Sequence, residues 1–204
     1  MKGEQKMASF KMTQGISRVP EDVFVEDGMT VTSGGLTVTA GGITVTAGTT
    51  DLSGSFIRDL VTLTEDTTIT NAAHAGRVLL MGEVGGDASA TFTLPAATGT
   101  GAEFKFIVSV VNTSNYVIQV ADGTDTIDGS VVVTNDSTAG GTASLISWPT
   151  VAASDTITLN GTTTGGVNIG DYVLLTDIAT NQYTVSGLLN ASGTEATPFS
   201  AAVS

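Results

Sequence analysis

The chain has 204 residues and no cysteine. Disulfides, thiolate metal sites and cysteine nucleophiles are thereby excluded. A single histidine, His74, is too little for a histidine-built metal centre and argues against Ser/His/Asp machinery. Charged residues make up only 13%, about half the usual share of roughly 25%, and aromatics only 5%. With 41% apolar residues that low charge argues against intrinsic disorder. Long apolar runs are missing as well. Val78–Met81 and Phe106–Val111 are strand-sized and far short of a membrane span. Met1–Gly15 is polar and lacks the apolar stretch of a signal peptide. There is no GxxxxGK[ST], no GxGxxG before a helix and no G-x-S-x-G elbow.

What the chain has in excess is glycine, 25 residues, and threonine, 35 residues. That bias, with valine and alanine, favours strands and turns over helices. The net charge of −13 is unevenly spread. Residues 1–19 carry four cations against Glu4, a net of +3, whereas residues 78–204 carry Lys105 against eleven acids, a net of −10. An acidic body repels phosphates, which argues against direct nucleic-acid binding. A positive head on such a body implies that the two ends face different things.

Residues 28–54 hold an internal repeat: GMTVTSG, GLTVTAG, GITVTAG, then a degraded TTDLSG. Met29, Leu36 and Ile43 recur every seven residues, as do Val31, Val38 and Val45, with Leu52 continuing the series. A coiled coil does not fit. Met29 and Val31, two apart, share one side of a strand but point about 200° apart on a helix. Each unit therefore reads as a short strand closed by a glycine turn. Barely four units enclose almost no core as a single-chain solenoid. Three chains wound about a common axis supply the missing partners and place Met29, Val31, Leu36, Val38, Ile43, Val45 and Leu52 on it. A plain local meander is the alternative.

These Gly-(Leu/Ile)-Thr-Val-Thr-Ala-Gly units resemble the trimeric β-shafts of tailed-phage fibres and head spikes. Further on, the segments beginning at His74 (HAGRVLL), Thr93 (TLPAATGTGAEFKF), Asp155 (DTITLNGTTTGG) and Gly193 (GTEATPFS) resemble small phage virion proteins. The resemblance covers roughly residues 28–204 and implies a virion structural protein, not an enzyme, made in the host cytoplasm; as a head decoration protein it would sit on the capsid exterior. It fits a homotrimeric head decoration (cement) protein and equally a tail fibre, spike or receptor-binding module. On the first of these, the largely unpatterned arm, residues 1–26, binds the major capsid protein through Lys2, Lys6, Phe10, Lys11 and Arg18. No cofactor, metal or membrane is implied.

The expected architecture is all-β: an arm (1–26), a trimeric β-shaft (27–54), and an antiparallel β-sandwich or barrel (55–204). Eleven strand-like runs at intervals of about 8–14 residues support the last. They lie near 60–64, 67–70, 77–83, 90–94, 104–111, 116–121, 130–134, 143–147, 155–160, 171–176 and 182–188. Only Asn71–Gly76 reads as a short helical turn. Phe104, Phe106, Val108 and Val110 form one core-facing row. Asp122-Gly123, Asp128-Gly129 and Asn160-Gly161 are hairpin-type dipeptides.

Few residues invite a chemical reading. His74 reads as a polar turn residue capping the next strand. Asp122, Asp125 and Asp128 could gather oxygen ligands for Ca²⁺, but the spacing is not that of an EF-hand and the closing Glu is missing, so they read as turn formers in two successive loops. The acid pairs Glu21-Asp22, Glu26-Asp27 and Glu65-Asp66 lack the aromatic platforms of a sugar-cleaving cleft. Trp148-Pro149 reads as a buried strand end.

Overall fold

Alternation of side chains along strands builds the core. In Glu103–Val108 the residues Phe104, Phe106 and Val108 are fully buried while Glu103, Lys105 and Ile107 are half-buried on the other face. The expected row stops there, because Val110 is 39% exposed. The computed structural model describes residue 43 and residues 56–82, 89–135 and 144–203. The chain divides into two units, residues 1–53 and 54–204. In the first, only Ile43 is described, so the expected arm and nearly all of the expected shaft lie outside the described residues.

The regular structure of the described part of the second unit is strand throughout, apart from one helical turn. In order come β1 (Leu60–Leu63), β2 (Thr67–Thr68), the single helical turn α1 (Asn71–His74), β3 (Val78–Met81), β4 (Ala90–Thr93), β5 (Glu103–Val108) and β6 (Tyr116–Gln119). Then follow β7 (Thr126–Asn135), β8 (Ser144–Pro149), β9 (Thr156–Leu159), β10 (Tyr172–Ala179), β11 (Gln182–Ala191) and β12 (Phe199–Ser200). A seven-stranded sheet runs β1-β3-β5-β10-β11-β7-β8, and a five-stranded sheet runs β12-β9-β6-β4-β2. Both contribute to one buried cluster. The Phe92 ring on β4 stacks on Phe106 of the other sheet at 5.8 Å and on Tyr116 of its own sheet at 6.0 Å. The two sheets thus meet across this ring pair.

The expectation of an antiparallel body is corrected. Of the ten strand pairings among the described residues five are parallel: β1 with β3, β3 with β5, β2 with β4, β4 with β6, and β7 with β11. The first four arise from coiling. From β1 to β6 the chain alternates between the sheets, odd strands in one and even strands in the other, so each strand returns beside its predecessor in the same direction. Leu60 lies beside Val78 and Val78 beside Lys105, steps of 18 and 27 residues. Parallel neighbours need a crossover of a dozen or more residues. Here a strand of the opposite sheet lies on that crossover, where an α/β fold would use a helix.

Turn chemistry also differs from expectation. Asp122-Gly123 and Asn160-Gly161 join strands of different sheets, and Asp128-Gly129 lies inside β7. The tight hairpin instead joins β10 to β11 through Thr180 and Asn181, with Asn181 at φ +62°. Asparagine tolerates that left-handed conformation better than most residues. Among the described residues no helix is long and apolar enough to cross a membrane.

Candidate functional site

His74 closes its own helical turn: its Nδ1 accepts the Thr70 N–H at 3.0 Å. Its carbonyl accepts the Arg77 N–H at 3.2 Å, just ahead of β3. The three aspartates 122, 125 and 128 are not brought together. Asp122 accepts both the N–H and the hydroxyl of Thr124, as a turn former does. Those bonds, the hydroxyl first, hold its carboxyl below the ordinary range. Asp125 is buried and accepts the Ala97 N–H. Asp128 lies within β7 and accepts the Gln182 side-chain amide, so it is a strand residue and not a turn former. Among the described residues no group of three metal-ligating side chains converges. Asp66 accepts the Thr91 N–H, and Trp148 is half-buried against the core near the end of β8. Of the expected arm and axis residues only Ile43 is described, and its side chain is 71% exposed.

The strongest polar feature is a set of buried aspartates that the sequence reading passed over, Asp155, Asp171 and Asp177, joined by Asp125. Each holds a connecting segment by its backbone. Asp177 Oδ1 accepts the N–H groups of Thr98 at 3.0 Å and Gly99 at 2.7 Å, and Oδ2 accepts the Thr100 N–H at 2.9 Å and hydroxyl at 2.7 Å. The same loop is tied by Ala97 to Asp125 and by the Tyr183 hydroxyl, which donates to the Pro95 carbonyl at 2.7 Å. Asp155 accepts the N–H groups of Ala202 and Val203, fastening the C-terminal segment. Asp171 accepts the Asn190 N–H and side-chain amide and the Asn168 N–H. Carboxylates whose lone pairs are spent on N–H donors are structural clamps, poorly placed to act as bases or ligands.

Burial pushes the Asp177 carboxyl up, but its bonds to Thr100, Gly99 and Thr98 outweigh that and hold it below the ordinary value of 3.8. Burial prevails at Asp171 and Asp125 and raises both, against hydrogen bonds from Asn190 and Ala97 respectively. Burial also raises the Tyr183 hydroxyl, with the charges of Asp177 and Asp125 adding to it. Asp177 is more acidic folded than unfolded. Its stabilisation is therefore complete above 3.8 and is lost as the pH falls through its folded value. Asp125 and Asp171 have the opposite sign: they cost stability at neutral pH, and acidification through their folded values relieves that cost. Asp177→Ala leaves several loop donors without their acceptor and is expected to lose about 3 kcal/mol at neutral pH. In urea titrations stepped down into acid, its gap from wild type should narrow below 3.8. A gap constant with pH would contradict the assignment.

The outer faces of the two sheets differ. The five-stranded sheet presents uncharged Thr91, Thr93, Val117, Gln119 and Thr158. The seven-stranded sheet carries one cross-strand row, Thr62, Leu80, Ile107, Tyr172, Leu188, Val132 and Ser147, in which five consecutive positions are apolar or aromatic. Lys105 lies over the Tyr172 ring at 4.6 Å on this face. At one end of the sheet stands the edge strand β1, with Phe56, Ile57 and Leu60 exposed at 70%, 87% and 67%. The arrangement is one of surfaces.

No family model, no curated protein and no solved structure matches the chain. The functional reading therefore rests on the residues and their placement.

Proposed function

We propose that this chain is a structural protein of a tailed-phage virion, a homotrimer that decorates the outside of the head and cements its shell. The observation that carries the reading is the seven-residue β repeat over 28–54, whose units are too short to bury their own apolar row and need sister chains beside them. On this reading Met29, Val31, Leu36, Val38, Ile43, Val45 and Leu52 line the threefold axis. The exposed Ile43 side chain of the single chain is then covered by its copies. The basic and apolar arm, with Lys2, Lys6, Phe10, Lys11 and Arg18, lies along the major capsid protein and orders as it binds. The body, fourteen carboxylates against three cations over residues 54–204, faces solvent. Loops clamped by buried aspartates suit a part that keeps its shape and turns over no substrate.

Three arms on one trimer bind together, so their affinities multiply through effective concentration. Deleting residues 2–19 is expected to weaken attachment to capsids by about a hundredfold or more. The measurement is co-sedimentation of purified protein with particles that lack it. Unchanged attachment overturns the assignment of the arm. Hundreds of copies per particle fit a decoration protein, and a handful would move the trimer to the tail.

A further inference from the structure

We infer that the loop over residues 97–102 is a carboxylate receptor built into the fold, that Asp177 is its resident ligand, and that the loop emptied of that side chain takes a small free carboxylate from solution. The sequence there alternates, Thr98-Gly99-Thr100-Gly101, and so does the backbone. Gly99 and Gly101 have φ of +75° and +72°, and neither threonine has a positive φ. In a chain that alternates in this way successive N–H groups point into one concavity, which binds anions. Here the N–H groups of Thr98 and Gly99 end on one oxygen of Asp177, and the N–H and hydroxyl of Thr100 on the other, at 2.7–3.0 Å.

Two further observations make this a receptor and not only a set of bonds to one side chain. The first is that the concavity is seated without the carboxylate. The Gly101 N–H donates to the Asp177 carbonyl at 2.9 Å, the Asp177 N–H to the Ala102 carbonyl at 3.0 Å, and the Asn181 N–H to the Ala97 carbonyl at 3.0 Å. Thr98 also bridges Thr180. All of these are backbone contacts, so they survive loss of the Asp177 side chain and keep four donors aimed at the space it leaves. The second is that no lysine or arginine takes part. Arg58 pairs with Glu103, Arg77 with Asp59, and Lys105 lies over Tyr172. Recognition rests on directional donors, two for each of two oxygens, which suits a flat two-oxygen anion and gives chloride no second acceptor.

Formate is the group that Asp177→Ala removes. Acetate is one carbon longer, and Asp177→Gly removes that carbon too. Asp177→Asn fills the space with an amide. A ligand of three heavy atoms binds at best near 0.5 mM, so an affinity of about 10 mM lies well within reach. At about 100 mM such a ligand shifts the folding equilibrium about tenfold. Full-length variants are unfolded in urea with about 100 mM sodium formate, acetate or chloride. Relative to chloride, formate is expected to raise the folded-to-unfolded ratio of D177A about tenfold, and acetate that of D177G by a similar factor, while D177N and wild type respond to neither. If D177A or D177G is unfolded in chloride before urea is added, recovery of its near-ultraviolet circular dichroism in the matching carboxylate is the same readout. Failure of both carboxylates to shift D177A and D177G overturns the inference. So does a shift of equal size in wild type or in D177N, which would place the effect outside the emptied loop.

Discussion

Phe92→Ala is expected to cost about 4 kcal/mol, the middle of the range for truncation of a buried aromatic. Phe92 is fully buried, and its ring is one contact between the two sheets: it stacks on Phe106 of one and on Tyr116 of the other. Removing it deletes apolar burial on both sides and leaves a cavity between two hydrogen-bonded layers, which cannot collapse without breaking ladders. Against a total stability of roughly 5–15 kcal/mol that loss is large. Urea unfolding at one fixed protein concentration, with the midpoint and slope compared to wild type, reads it out. A loss below about 1 kcal/mol would mean that the sheets are not held together at this ring.

Gly129→Ala is expected to be equally damaging although it adds a single methyl group. Gly129 sits within β7 at φ +142°, and a Cβ there would lie 2.2 Å from the Val185 carbonyl oxygen on β11. That oxygen belongs to the ten-residue parallel ladder between β7 and β11, so relief requires the ladder to shift. Backbone strain and the clash together come to about 4 kcal/mol, in the range reserved for named, severe mechanisms. Gly76→Ala is the control. Gly76 has φ +71° but nothing within 4 Å of an added Cβ. It should cost only the left-handed penalty of about 1–2 kcal/mol. Equal, small losses at the two positions in the same urea assay would remove the close approach at Gly129 from the account.

Gly129 also shows where sequence reading stops. Asp-Gly is a strong hairpin signal, because glycine accepts positive φ. Here the same freedom serves a strand interior pressed against its neighbour, and nothing local distinguishes the two uses. Strand positions were legible because alternation is local: Phe104, Phe106 and Val108 point inward whatever lies beside them. Pairing direction was not legible. The pattern of β1, β3 and β5 would read the same in an antiparallel meander, and the coil that makes them parallel is a property of where the chain returns. β12, two residues long and held by β9, is too short to leave a periodic signal.

The polar clamps fell between these cases. Asp177 follows Val173 and Leu175 at the inward positions of YVLLTDIA, so alternation alone places a carboxylate on the buried face and requires donors for it. Which donors, the N–H groups of residues 98–100, only the fold could supply. Phe56, Ile57 and Leu60 carried no signal as a group, because an apolar residue beside a strand reads as core until the strand proves to be an edge.

The threefold association of the repeat is tested most directly by the mass of the intact chain in solution. Sedimentation equilibrium across a wide concentration range should give three times the 20.5 kDa of one chain. A stable 20.5 kDa species at the highest concentration, with residues 28–54 protected from protease, would contradict it.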